Sequence, residues 1–497
     1  MRRRLPGRLS AVRASIARRL AVAWLAACAL LPLQAEPLSS CRLAGVPHEA
    51  LCASLARPLD PARPGGVLIE LHYALLPALA RHKKADPVFF VAGGPGQSAI
   101  ALAGPVGAML ARFGHRRDIV FVDQRGTGRS APLSCPDDKT TLPLAEAADP
   151  ARLAQRARAC LQQLQALPHG DLRFYTTTLA AADLEAVRAA LGAERINLVG
   201  VSYGTRVVLE YMRVFPQRVR RAVLDGVAPP DMALPWASAP DAQAAFDAML
   251  RSCAAEAACK ARQPALPATW QAVLASLPRD VVVPNPATGV DEALRMTRDM
   301  FLGMVRAALY SPVTASALPA ALEAAARGRF APLAGLASAL TSTRRDAQVA
   351  HGMHFSVVCA EDMPAHGAAA PPAPDFGAGL APAYEQVCRF WPRGAVDPAF
   401  RRVPGAPAPV LLLSGGIDPA TPPRHGERVA QTLGARARHE VVPNAGHGLL
   451  ALPCQRDQVF RFVDAADDAA ALRLDARCAQ GVPRPPAFVP PGAEPRP

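Results

Sequence analysis

Five short apolar runs, each closing on a glycine-rich or polar turn, constrain this chain more than any other feature. Val88–Val91 leads into Gly93-Gly94-Pro95-Gly96, Ile119–Val122 into Asp123-Gln124-Arg125-Gly126, and Ile196–Val199 into Gly200-Val201-Ser202. Val223-Leu224 leads into Asp225-Gly226, and Val410–Leu413 into Ser414-Gly415-Gly416. Apolar strands that do not alternate, separated by helical stretches, are buried on both faces, which implies a parallel sheet with helices on either side. One intervening helix is legible from Leu179, Asp183-Leu184, Val187 and Leu191, closed by Gly192. Ligands of such sheets bind beyond the carboxyl ends of the strands, where all the unusual loops of this sequence fall.

Gly200-Val201-Ser202-Tyr203-Gly204 is a G-x-S-x-G turn between a strand (195–199) and a helix (203–215). The chemistry needs that spacing. The turn is so tight that side chains at 200 or 204 meet neighbouring backbone, and the serine is held strained above the sheet. A serine hydroxyl is a weak nucleophile and requires a base, which in this kind of fold follows an acid along the chain. Of His425, His439 and His447, only His447 sits in a glycine-flanked loop after a strand, Asn444-Ala445-Gly446-His447-Gly448. Asp418, following the preceding strand, is the favoured acid, with Asp225 its rival. The second oxyanion donor belongs to the first glycine loop, so the amides of Gly94 and Tyr203 are the nominees. The fold class expected is α/β: an α/β-hydrolase fold, mostly parallel, with helices on both faces and an inserted, mainly helical cap.

The remaining sequence sets the boundaries. Residues 1–35 read as a secretory signal, with seven arginines, no acid and an apolar run from Leu20 to Leu33. That run is too short to span a bilayer comfortably. Cleavage after Ala35 gives a soluble exported protein; the string Leu25-Ala26-Ala27-Cys28 is the lipoprotein alternative, disfavoured by the apolar residues after Cys28. Without the leader the formal charge falls from +14 to +7, and the remaining arginines are scattered and not interleaved with aromatics, so no nucleic-acid partner is expected. The core is expected in two parts, 36–228 and 383–480, with the cap at 229–382 and a Pro-rich, extended or disordered tail at 481–497. Beyond Cys28, ten cysteines fall into five neighbouring pairs, which suggests disulfides in an oxidising compartment.

Taken together, Gly93–Gly96, Asp123–Ser130, Gly200–Thr205, Val358-Cys359-Ala360-Glu361-Asp362, Asp418 and Gly446–Gly448 resemble the proline iminopeptidase and tripeptidyl aminopeptidase family of serine exopeptidases. The likeness covers nearly all of the mature chain and is nearest to the larger, secreted bacterial branch. The resemblance implies removal of short N-terminal pieces from peptides with a free N-terminus, under a helical cap. Proline iminopeptidases usually carry His before Gly-Gly-Pro-Gly; Ala92 stands there, so narrow proline specificity does not follow. By the same resemblance Glu361 or Asp362 binds the substrate ammonium, with an ion pair or helix cap as the other role for either acid. Asp123 and Arg125 are expected to hold loop geometry. His351 and His354 lack a third ligand at suitable spacing, so no metal and no cofactor are expected. An esterase on the same frame is the alternative activity, since specificity lives in the cap, and the oligomeric state stays open.

Overall fold

In the computed structural model, residues 36–136, 142–147, 150–342, 349–363, 372–475 and 477–488 are described. The proposed leader with Cys28, the stretch 364–371 of the Pro/Ala/Gly connection and the last nine residues lie outside them. One nine-stranded sheet organises the chain: β1 (Ser39–Cys41), β2 (Ala50–Pro58), β3 (Leu68–Leu76), β4 (Val88–Val91), β5 (Ile119–Val122), β6 (Ile196–Val201), β7 (Val219–Asp225), β10 (Val410–Gly415) and β11 (Ala437–Val442). Their spatial order is β1-β2-β3-β5-β4-β6-β7-β10-β11. From β5 to β11 neighbours run parallel, while β1, β2 and β3 extend the β5 edge antiparallel. The three edge strands have no counterpart in the expected set of apolar runs.

The unalternating runs are explained by the two faces they serve. Phe89, Val91, Val120, Leu198, Leu224 and Leu412 pack into one core, and Val88, Phe90, Phe121, Val199, Val223, Leu411 and Leu413 into the core on the other side. Each buried side chain of this size contributes about 1.5–3 kcal/mol. Helices α1 (Thr177–Ala190) and α2 (Tyr203–Val214) cover one face. Gly192, just past α1, takes the left-handed conformation at φ +67° that ends helices.

Between β7 and β10 the chain builds a second core around Phe246, Trp270, Phe301 and Phe376, with the Phe246 and Trp270 rings 4.1 Å apart. Helices dominate it, among them α3 (Arg298–Leu309), but it also contains an antiparallel hairpin, β8 (Arg279–Pro284) with β9 (Asp291–Met296). The sequence gives no strand signal strong enough there: Val281 to Val283 is a short run followed at once by Pro284 and Asn285. Helices α4 (His351–Val357) and α5 (Ala381–Cys388), with a π-helical turn at Val358–Asp362, return the chain to the sheet. Five disulfides join Cys41–Cys52, Cys135–Cys160, Cys253–Cys259, Cys359–Cys388 and Cys454–Cys478, the neighbour pairing expected. The first described part of the Pro-rich tail is pinned: Phe488 donates to the Ser316 carbonyl at 3.0 Å and Asn444 to that of Val482 at 2.9 Å. Among the described residues no helix is long and apolar enough to cross a membrane.

Candidate active site

Strand β4 is flanked by β5 on one side and β6 on the other, so the chain departs in opposite directions from its two neighbours. Such a switch point leaves a crevice at the carboxyl ends of the strands. Gly93-Gly94 leaves β4 there and Ser202 leaves β6.

Ser202 has φ +56° and ψ −126°, a conformation that non-glycine residues avoid and that is kept only where surroundings enforce it. Two constraints do so here. Its N–H donates to the Asp225 carbonyl at 2.8 Å, and its own carbonyl accepts from the Thr205 hydroxyl at 2.7 Å and the Thr205 amide at 2.9 Å. Gly204 makes the turn possible, because a Cβ at that position would run into the carbonyls of Val91 and Ala92. A Cβ at Gly200 would come within 2.6 Å of the Gly204 carbonyl. The amide of Tyr203 is the first of α2, among the helix amides left without an intrahelical acceptor. Gly94 lies in the loop after β4 at φ +109°, and a Cβ on Gly93 would stand 3.1 Å from Ser202 Cβ.

Asp418 and His447 meet directly. Nδ1 of His447 lies 2.8 Å from Oδ2 of Asp418. That carboxylate is 1% exposed and saturated with donors: Ala420 and Thr421 amides on Oδ1 at 2.7 and 3.0 Å, and the Thr421 hydroxyl on Oδ2 at 2.8 Å. Burial alone would raise the Asp418 pKa, but the facing imidazole and these hydrogen bonds hold it below the usual carboxylate value. Because a carboxylate only accepts, Nδ1 carries the proton and Nε2 is left basic in the neutral ring. The ring also packs on the Asp225–Gly226 turn: a Cβ on Gly226 would be 3.2 Å from His447 Cε1. Ser202 and His447 therefore flank the same turn.

Asp225, the rival acid, has a different task. Its oxygens accept the amides of Leu449 and Leu450 at 2.8 and 2.9 Å, immediately after the His447 loop. Burial raises its pKa, opposed by those amides and the imidazole and reinforced by Asp418. Tyr310 is a further contributor with no motif to announce it. Its carbonyl accepts the His447 amide at 3.0 Å, and its ring meets the imidazole edge-on at a centroid distance of 5.3 Å. A Cβ at Gly446 would collide with the same carbonyl.

Glu361 and Asp362 are turned inward, each with 1% of its side chain exposed. Glu361 accepts the Thr177 amide at 2.6 Å and the Thr177 hydroxyl at 2.7 Å, capping α1; that hydroxyl also meets the Tyr203 phenol at 2.7 Å. Asp362 receives Arg206 at 2.7 Å. The structure thus supplies the helix cap and the ion pair: both Glu361 oxygens are taken by Thr177, while Asp362 engages Arg206 through Oδ1 and keeps a buried Oδ2 without a hydrogen-bond partner. Burial pushes the Glu361 pKa up to about 7 against the pull of Arg206 and Thr177.

Asp123 and Arg125 hold loops. Asp123 takes the Ser98 hydroxyl at 2.6 Å and the Ile100 amide at 3.0 Å, while Arg125 forks onto Asp183 at 2.6 and 2.9 Å. His354 ties the Pro95 loop to helix α5, with Nδ1 3.1 Å from the Pro95 carbonyl and Nε2 2.7 Å from the Tyr384 hydroxyl. Among the described residues no group of His, Cys, Asp and Glu could hold a metal ion.

Comparison with known proteins agrees with this frame. Residues 86–269 match the alpha/beta hydrolase fold family and residues 373–470 match the family described as TAP-like protein. The serine protease Hip1 of Mycobacterium tuberculosis is 29% identical over 429 residues, covering 78% of this chain and 80% of that protein. Tripeptidyl aminopeptidase of Streptomyces lividans is 34% identical over 208 residues, 38% of each chain. Carboxylesterase B of M. tuberculosis is 29% identical over 420 residues, 78% of each. The chain has the α/β-hydrolase fold, with separate stretches matching the alpha/beta hydrolase fold and TAP-like families and with similarity to a serine protease, a tripeptidyl aminopeptidase and a carboxylesterase.

Proposed function

We propose that this protein is an exported serine peptidase that releases short N-terminal peptides or single residues from peptides through an acyl-enzyme. One observation carries the reading: a strained Ser202 and an Asp418-oriented His447 flank a single turn at the switch point of the sheet. His447 Nε2 takes the Ser202 proton as Oγ attacks the scissile carbonyl. The amides of Gly94 and Tyr203 hold the resulting oxyanion. Collapse expels the amine, which takes its proton from the imidazolium. Water, deprotonated by the same Nε2, then releases the acid and restores Ser202. Asp418 stabilises the imidazolium throughout and keeps its own charge.

The names of the relatives, serine protease and tripeptidyl aminopeptidase, support peptide substrates. Five disulfides and the basic, apolar leader support export. A second reading, an esterase, is favoured by the carboxylesterase relative and by the internal partners of Glu361 and Asp362. A fluorophosphonate probe should label the protein and fail to label Ser202→Ala. A chromogenic panel then separates the readings. Faster turnover of peptides with free N-termini supports the peptidase; preference for blocked peptides or simple esters removes the aminopeptidase.

A further inference from the structure

The buried guanidinium groups of this fold are paired with acids: Arg117 with Asp86 and Asp464, Arg125 with Asp183, Arg206 with Asp362. Arg306 is different. It lies half-buried on the cap helix α3, its Nε is sealed from solvent without a hydrogen-bond partner, and no carboxylate among the described residues pairs with it. A guanidinium with no protein counter-ion among the described residues and one sealed, unpartnered nitrogen is open to an anionic partner, and its planar fork matches a carboxylate bidentately.

The position of Arg306 relative to the base gives this its meaning. Arg306 Cζ is 5.4 Å from the centroid of the Tyr310 ring, and that ring sits edge-on against the imidazole of His447 at 5.3 Å. The phenol of Tyr384, whose hydroxyl bonds His354 on the Pro95 loop, lies within the field of the same guanidinium. Arg306 is thus one aromatic ring from the base. An extended peptide rises about 3.3–3.6 Å per residue, so a group within three residues of the scissile bond spans that separation.

We propose that Arg306 is a specificity residue that binds a carboxylate of the substrate, either an acidic side chain close to the scissile bond or the peptide's C-terminal carboxylate. This rests on the catalytic reading of Ser202 and His447.

The test uses the whole protein and matched peptides: Glu against Gln on each side of the scissile bond, and free-acid against amidated C-termini. The quantity read is the ratio of kcat/KM for the anionic and neutral members, which does not depend on the active fraction of a preparation. The wild type should favour the anionic member of at least one pair by about tenfold or more, and the pair that responds identifies the source of the carboxylate. Arg306→Ala should bring that ratio close to one, Arg306→Lys should keep part of it, and Arg306→Glu should invert it. A wild-type ratio near one in every pair, or a ratio unchanged across the variants, overturns the assignment. Fluorophosphonate labelling separates the two layers. A wild type that does not label loses the catalytic reading and this inference with it, whereas a labelled enzyme indifferent to charge loses this inference alone. Should the Ala variant fail to label, the Lys and Glu variants decide.

Discussion

Asp225 holds Ser202 by its main chain and the His447 loop by its side chain. Its carbonyl accepts the Ser202 amide at 2.8 Å while its carboxylate accepts Leu449 and Leu450 at 2.8 and 2.9 Å. Nucleophile and base, 245 positions apart in the chain, share one support at the end of β7. In Asp225→Ala two buried amides lose their acceptor, so stability should fall by about 2–4 kcal/mol in urea unfolding. Loosening of the imidazole should cost about a hundredfold in kcat. Full kcat in the variant would show that Asp225 supports the fold alone.

Asp418→Asn should leave the overall structure intact and cut kcat by about 10⁴, because an amide NH2 facing Nδ1 favours the tautomer with its proton on Nε2. Circular dichroism checks the fold and single-turnover kinetics the rate. A loss under tenfold would mean that another group orients the ring.

Glu361 sets a pH dependence of stability with a definite sign. Its folded pKa, about 7, lies above the 4.5 of an exposed glutamate. Between those values the unfolded chain sheds a proton that the folded chain keeps, so stability falls as pH rises across this window and levels off above it, by up to about 3 kcal/mol. Glu361→Gln cannot ionise and should flatten that slope in thermal unfolding scanned from pH 4.5 to 8. Parallel wild-type and variant curves would place the proton elsewhere.

The Cys359–Cys388 bridge ties the turn carrying Glu361 and Asp362 to the helix carrying Tyr384, across 29 residues. Replacing both cysteines by Ala should lower stability by about 3–4 kcal/mol through the freed unfolded chain. Denaturant unfolding of the double variant against wild type measures it; a change below 1 kcal/mol would contradict the estimate.

What could be read from the sequence was what local geometry dictates. Ser202 directly follows the apolar β6 and Asp418 stands three residues beyond the apolar β10, so a strand-end rule locates them without knowledge of packing, while His447, five residues past the mixed strand β11, is marked by the glycines on either side of it. Strands β2 and β3 escaped the same rule because they form the antiparallel edge of the sheet: β3 alternates between exposed and buried positions over its first half. The roles of Glu361 and Asp362 were open in the sequence because their partners, Thr177 and Arg206, stand 184 and 156 positions away. Tyr310 offered no signal at all, since its service to His447 is rendered by a backbone carbonyl that any residue could supply. The Asp225 carboxylate was visible, but only three-dimensional packing tells an amide acceptor from a partner of the imidazole.

The amide of His447 is anchored to Tyr310, a residue of the inserted segment, not of the sheet. The proton acceptor is in this sense mounted on the roof as well as the floor. An insertion here cannot be exchanged like a cover plate: a replacement must also present a carbonyl at that spot, or the ring beneath it loses its seat. Divergence in the roof is thereby coupled to the chemistry below, and changes of substrate preference should fall on side chains around that anchor before they fall on the anchor itself.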